Sequence, residues 1–260
     1  MMTFLTDFGT NNGYVAQMKG VATSITKARL VDITHEVSPH NIREAAFILQ
    51  SIVPYFPVGT IHVVVVDPGV GTERKGLVVT SRSHILVGPD NGVLMPAAHF
   101  LGDFTVYEIA NTRYMNNFFS HTFHGRDVFT PVAAYITKGV PFEQIGPRIS
   151  NYVDLDFGTP VITNTSAKGT VIFIDRFGNV ITNIPGIRFL DVAGYGKTMT
   201  IERGQKSLEM PFVKSYGFVD KGKPLVTIGS HNYVELGVNQ GEAASKLSLK
   251  EGDEVVLRFV

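Results

Sequence analysis

Residues 62–71 read His-Val-Val-Val-Val-Asp-Pro-Gly-Val-Gly, and no other stretch constrains the fold of this chain as tightly. Four consecutive valines are stiff, β-branched and apolar, which fits a buried strand. The run stops at Asp67, and Pro68, Gly69 and Gly71 then impose a turn. Arg74 follows seven residues after the aspartate. Ligands of α/β sheets bind beyond the carboxyl ends of the strands, which is where this pattern puts Asp67. An aspartate before Pro-Gly is also a common turn cap, so Asp67 reads either as a catalytic carboxylate or as a structural one.

The segments around this strand alternate in period. Strands are predicted at 3–6, 28–33, 61–66, 77–80, 84–87 and 105–109. Helical spacing appears in Val15, Met18, Val21, Ala22 and Ile25, and again in Ile42, Ala45, Leu49 and Ile52, which stops near Pro54. A further helix is expected from about Asp127 to Gly139. This alternation predicts an N-terminal α/β domain over 1–151 with a largely parallel central sheet. Residues 152–168 are rich in Thr, Asn, Asp, Gly and Pro and read as a linker. Residues 169–260 hold short β-rich runs between turn residues, with no sustained helical period, and predict a C-terminal antiparallel β-barrel-like domain.

Composition narrows the function. Lys plus Arg and Asp plus Glu both number 23, which argues against nucleic acid or an anionic membrane as partner, since both attract clustered positive charge. The apolar runs are too short to span a bilayer, and the N-terminus lacks a signal-peptide pattern. The absence of cysteine excludes disulfide and thiol chemistry and fits a cytoplasmic protein.

Four polar constellations fall at element ends. Thr6-Asp7-Phe8-Gly9 looks like a kinase magnesium loop, but the required lobe and catalytic loop do not precede it. Asp7 at the end of the first strand suits paired sugar hydroxyls, because a carboxylate accepts two hydrogen bonds at once; it could instead cap the following helix. Gly69-Val70-Gly71 leads into a strand and not into a helix, which removes the dinucleotide reading. Gly88-Pro89-Asp90-Asn91-Gly92 reads as a structural turn. In Ser120-His121-Thr122-Phe123-His124-Gly125-Arg126-Asp127, His121, His124 and Asp127 could bind a metal if they shared a helix face, but Gly125 interrupts that face and the helix is expected to start after it. His124 is the better candidate, as a neutral imidazole able to accept or relay a proton. Asp175-Arg176-Phe177-Gly178-Asn179 is either a plain hairpin or a π face with an amide for a purine. Ser230 to Gly241 is a loop or a second polar rim.

Thr-Asp-Phe-Gly, Val-Asp-Pro-Gly-Val-Gly, Gly-Pro-Asp-Asn-Gly, Thr-Phe-His-Gly-Arg-Asp, Asp-Arg-Phe-Gly-Asn and the 230–241 segment occur here in order. Together they resemble the S-adenosyl-L-methionine (SAM) hydroxide adenosyltransferases, or adenosine-forming SAM hydrolases, relatives of fluorinating and chlorinating enzymes that use the same substrate. The resemblance spans nearly the whole chain. It implies hydrolysis of SAM to adenosine and L-methionine by in-line attack of water on ribose C5′, with SAM as substrate, no cofactor and no metal. It implies that Asp67, Arg74 and His124 position and activate the water and that Asp7 binds the ribose. Phe123 and Phe177 would pack on the adenosine, and Asn179 with backbone near Val238 would read the adenine edge. Asp175 and Ser230 would hold the methionine amino and carboxylate groups, in a pocket also lined by Tyr233 and Glu235. It further implies a homotrimer, with each site between one subunit's first domain and its neighbour's second.

A sulfonium leaves without a general acid, so the chemistry asks mainly for a positioned nucleophile and a base. Asp67 and His124 are both candidate bases, and the sequence does not choose between them. Two rival functions are a halogenase and a non-catalytic SAM or adenosine sensor. A carboxylate facing the nucleophile would repel a halide, and a sensor would not need the triad.

Overall fold

The computed structural model describes residues 1–203 and 206–259. These divide into two compact units, Met1–Asp156 and Phe157–Val260.

The first unit is built from β1 (Met2–Thr6), α1 (Tyr14–Ile25), β2 (Leu30–Thr34), α2 (Ile42–Ile52), β3 (Thr60–Val65), β4 (Gly76–Thr80), β5 (His84–Pro89), α3 (Met95–Leu101), β6 (Thr105–Glu108), α4 (Thr130–Thr137), α5 (Phe142–Ile145) and β7 (Arg148–Ile149). The sheet order is β2-β1-β3-β5-β4-β6-β7. The four strands β2, β1, β3 and β5 are parallel, while β4, β6 and β7 add on antiparallel. The core of this sheet is thus largely parallel, as expected, and its β4 side runs antiparallel. The cause is the Ser81–Ser83 connection between β4 and β5. Three residues cannot hold a crossover, so the two strands must form a hairpin.

Every residue of β3 is buried, as the valine run demands. Met2, Phe4, Ile61, Val63 and Val65 join Met18 and Ala22 of α1 and Val132, Ala133 and Ala134 of α4 in one core cluster. Thr3 bonds the His62 Nδ1 at 2.8 Å, and His62 Nε2 lies 3.4 Å from His84 Nδ1, so two imidazoles are buried side by side. Asn41 caps α2 by accepting from the Glu44 amide. The Glu44 carboxylate reaches back to accept from the Ser38 amide, a reciprocal cap that fixes residues 38–41.

The second unit contains β8 (Val161–Ile162), β9 (Ser166–Ile174), β10 (Val180–Pro185), α6 (Gly186–Leu190), β11 (Thr198–Arg203), β12 (Lys206–Pro211), β13 (Pro224–Ile228), β14 (Tyr233–Val238), α7 (Ala243–Leu247) and β15 (Glu254–Arg258). Its strands pair antiparallel in the order β12-β11-β15-β9-β10-β14-β13, with β8 on β9. The ends of this path come together where Val213 donates to the Val226 carbonyl, beside a bridge from Phe212 to Val226. The sheet is thus nearly a barrel, around a core that includes Phe189, Phe212, Met210, Leu236 and Leu257. Its two short helices had no periodic signal because each is little more than one turn.

The stretch read as a linker divides between the units. Its early residues are tied into the first, where the Val153 amide donates to Asp90 and Asp154 pairs with His99 at 2.9 Å. Its later residues supply β8. Among the described residues no helix is long and apolar enough to cross a membrane.

Candidate active site

Asp67 lies two residues past β3 and Arg74 two residues before β4, so a tight turn returns the guanidinium onto the carboxylate. Arg74 Nε donates to Asp67 Oδ1 at 2.9 Å and Oδ2 at 3.0 Å, and a terminal nitrogen of Arg74 donates closely to Oδ2. The pair is nearly buried, with side-chain exposure of 4% for Asp67 and 11% for Arg74. The carboxylate is therefore held by arginine and does not cap the Pro-Gly turn, which closes through the Asp67 carbonyl and the Val70 amide instead.

His124 completes the group. Arg74 donates to its Nδ1 at 2.7 Å. A guanidinium has only donors, so Nδ1 must be unprotonated and the ring proton of the neutral imidazole sits on Nε2. That Nε2 is buried and has no hydrogen-bond partner among the described residues. Burial holds the His124 pKa below the ordinary histidine range, and the adjacent Arg74 charge lowers it further.

A π-helical turn, Gly125–Phe129, follows His124 and runs into α4. The expectation that the helix starts after Gly125 is corrected here, because Gly125 is its first residue. The position is tight, since a Cβ there would meet Val65 at 3.2 Å and the Met18 sulfur at 3.4 Å. Asp127 is wholly buried and binds Arg126, the Asn116 amide group and the Ser120 backbone N–H. Burial alone would raise its pKa, but these hydrogen bonds outweigh that and hold the carboxyl below its usual range. Asp127 is thus committed to ordering residues 116–120, and among the described residues no cluster of three or more His, Asp or Glu is placed to hold a metal. Residues 116–121 in turn lie over the triad. Phe119 contacts the His124 ring at 4.9 Å, and Gly71 (φ +78°) lies so close to the His121 carbonyl that no side chain would fit.

Asp67 and His124 line a cavity of about 300 Å³ together with Asp7, Phe8, Tyr14, His40, Phe123 and others. Asp7 follows β1, and its Oδ2 accepts from the His40 backbone N–H at 2.9 Å. It does not cap α1, where Gly13 is the N-cap and the Tyr14 amide donates to the Asn12 side chain instead. His40 takes a left-handed φ of +67°, which aims its amide at Asp7. Phe8, Tyr14 and Phe123 pack edge to face at 5.2–5.7 Å and form an aromatic wall. Phe8, Tyr14 and His40 were not singled out from the sequence. The only signal was Ser38-Pro39-His40-Asn41, a helix-start pattern whose residue before the cap is forced into an unusual turn. His124 and Arg74 also border a second cleft of about 610 Å³, with Glu73, Lys75, Glu108 and Phe119.

The second unit has its own cavity of about 750 Å³, bordered by Asp175, Phe177, Asn179, Tyr216, Ser230, Glu235 and Val238, among others. Asp175 Oδ1 accepts from the Phe177 and Asn179 amides, and Oδ2 accepts from the Asn179 side chain. The 175–179 hairpin is therefore rigid, and it leaves Phe177 70% exposed. Tyr216 donates a close hydrogen bond to Glu235 Oε1. Burial pushes the Glu235 carboxyl up; the Tyr216 hydrogen bond offsets part of this, and the nearby Asp175 charge adds to it. Tyr233 starts β14 and is not among the residues lining this cavity. Tyr216 was not legible in the sequence, because it sits in a single 3₁₀ turn with no flanking motif.

Residues 2–146 match the family of the SAM hydroxide adenosyltransferase N-terminal domain, and residues 169–256 match that of its C-terminal domain. The chain belongs to the SAM hydroxide adenosyltransferase family. Among its relatives, an (R)-S-adenosyl-L-methionine hydrolase of Methanocaldococcus jannaschii is 37% identical, over 100% of this chain and 96% of its own. A fluorinase of Actinoplanes sp. is more distant at 26%, over 97% and 95% of the two chains. The crystal structure of an uncharacterized conserved protein from Thermotoga maritima superposes with a TM-score of 0.94 at 40% identity, covering 99% of this chain and all of that one.

Within the hydroxide adenosyltransferase fold, the residues expected from sequence form two separate groups. Asp7, Asp67, Phe123 and His124 share the first unit's cavity, with Arg74 bound to Asp67 and His124 at its edge. Asp175, Phe177, Asn179, Ser230, Glu235 and Val238 share the second unit's cavity.

Proposed function

We propose that this chain hydrolyses SAM to adenosine and L-methionine, with water attacking ribose C5′ and methionine leaving from the sulfonium. The observation that carries the reading is Arg74 bridging Asp67 and His124 at the edge of a cavity that also holds Asp7. The bridge divides the labour between the two candidate bases. His124 Nδ1 is occupied by Arg74 and Nε2 carries the proton, so the imidazole acts as a donor that orients the water oxygen. Asp67 Oδ1 accepts one hydrogen bond from Arg74 and keeps a lone pair, so it takes the water proton as the C5′–O bond forms and the C5′–S bond breaks. Arg74 fixes both partners and stabilises the developing hydroxide by charge-assisted hydrogen bonding. A buried carboxylate at this point disfavours a halide nucleophile, which argues for water over the fluorinase-type reaction.

In this reading Asp7 binds the ribose hydroxyls, Phe123 and Phe177 pack on the nucleoside, and Asn179 with backbone near Val238 reads the adenine edge. Asp175 and Ser230 hold the amino-acid end, with Tyr233 and Glu235 nearby. No metal or redox cofactor takes part. The chain works as a homotrimer, pairing the first unit of one subunit with the second unit of its neighbour. Following its relative's name, the substrate is the (R) sulfonium epimer. Both epimers present the same C5′ to water, so the choice between them must come from where the S-methyl group fits.

The test is to incubate purified protein with each sulfonium epimer in ¹⁸O-labelled water, with chelator present. Label in the 5′-hydroxyl of adenosine, formed faster from the (R) epimer, is the expected result. A 5′-halogenated nucleoside in halide buffer without adenosine would overturn the hydrolase reading. Faster turnover of the (S) epimer would overturn only the stereochemical part.

A further inference from the structure

The cavity of the second unit carries a polarity that the choice of residue types does not reveal. The Asn179 side-chain nitrogen donates to Asp175 Oδ2 at 2.9 Å and to the Tyr216 hydroxyl oxygen at 3.3 Å. An amide nitrogen has two protons, and both are engaged. The Tyr216 hydroxyl proton is itself committed to Glu235, so towards Asn179 the phenol oxygen is an acceptor only. Turning the amide over would set its oxygen against the Asp175 carboxylate on one side and this oxygen on the other. The amide orientation is therefore fixed from two directions. What remains for a ligand is Oδ1, which accepts no hydrogen bond among the described residues, on a side chain that borders the cavity and is 6% exposed.

We propose that Tyr216 is a positioning residue that locks the Asn179 amide as an acceptor-only reader, so that this cavity takes purines bearing a 6-amino donor and refuses their 6-oxo counterparts. An asparagine free to rotate reads adenine through both ends of its amide and can turn to face a carbonyl. A locked one meets a 6-oxo purine with acceptor against acceptor, and both groups stay unpaired on burial. Sites built around one obligatory hydrogen bond reject the analogue lacking it far more strongly than apolar pockets reject a change of size. The inference rests on the nucleoside reading above and adds its base specificity. It also gives Glu235 a function: its acceptor oxygen holds the Tyr216 proton away from Asn179.

Adenosine and inosine are titrated calorimetrically into the full-length protein and its Tyr216→Phe and Glu235→Gln variants, with SAM turnover measured in parallel. The wild type is expected to prefer adenosine by about 100-fold or more. Tyr216→Phe removes one of the two anchors and should narrow that preference at least tenfold. Glu235→Gln keeps an acceptor for the phenol and should retain most of it. Equal affinity of the wild type for the two nucleosides overturns the lock, whether or not the variants fold. Equal weakening of both nucleosides in Tyr216→Phe also overturns it, because a merely structural residue would do the same. SAM hydrolysis that persists in either case leaves the proposed function standing. A clear adenosine preference without SAM hydrolysis supports the lock and removes the hydrolase reading.

Discussion

Arg74 donates to Nδ1 of His124 at 2.7 Å, and this contact determines which imidazole nitrogen carries the proton. With Nδ1 closed to protons, the ring is a donor at the triad, and Asp67 is left as the group able to accept.

Asp67→Asn keeps the shape and an acceptor for Arg74 but removes the proposed base. The expected result is a fall in kcat of about 10²–10⁴-fold with KM within a few-fold, measured on protein shown to be folded by circular dichroism. Normal turnover would mean that the proton goes elsewhere.

The same geometry sets a pH dependence. Burial, then the adjacent Arg74 charge, holds the His124 pKa of the folded protein below the ordinary value, and protonating Nδ1 would also break its hydrogen bond with Arg74. The stabilisation linked to the neutral ring is then full above about pH 6.5 and is lost as pH falls through the lowered native pKa. An NMR titration of the His124 ring protons should give a midpoint below 6.5. In Arg74→Gln, burial remains but the positive charge goes, so the midpoint should move up. A wild-type midpoint at or above 6.5 would contradict the assigned hydrogen bond.

His62 makes a second acid-sensitive element, in the sheet and away from the triad. Burial, then the neighbouring His84, pushes its pKa down to about 3. The unfolded chain takes up a proton near pH 6.5 that the native state refuses until about pH 3, so stability falls across that window. Thermal unfolding of His62→Gln should show a lower Tm than wild type at pH 7 but a flatter decline between pH 6.5 and 4. Parallel declines would remove His62 as the cause.

The proposed trimer has a complementation signature. Asp67→Asn lacks the proposed base and Asn179→Ala the proposed purine contact, yet a mixed oligomer contains some pairings in which both groups are intact. Refolding the two variants together should recover a substantial fraction of wild-type activity that neither shows alone. Mixed trimers verified by native mass spectrometry but without activity would place the whole site in one chain.

Asp67 and Arg74 were legible because their loop is local: six residues separate them, three of them Pro or Gly, such a turn has few ways to run, and a buried strand fixes where it starts. His124 was legible as a candidate, but its role was not, since the tautomer depends on an arginine 50 positions away. The parallel core was legible in the alternation of strands and helices, but the direction of β4, β6 and β7 was not, because period-2 patterning gives a strand its faces without its direction. Of the aromatic wall, Tyr14 carries no motif and Phe8 sits inside Thr-Asp-Phe-Gly, where its neighbour Asp7 drew the reading, because an aromatic side chain looks the same in a site as in any core. Tyr216 was invisible for a related reason: its effect comes through Asn179 and Glu235, which other strands bring to it.

The π-helical turn after His124 works as an aiming device. A π turn holds one residue more than the α-helix around it, and each α-helical residue turns the chain by about 100°. Removing that extra residue from 125–129 would let α4 run back as a regular helix into the preceding turn, and it would swing the His124 side chain by roughly that angle away from Arg74. The direction of this imidazole is thus written in a count of residues, upstream of any contact its ring makes.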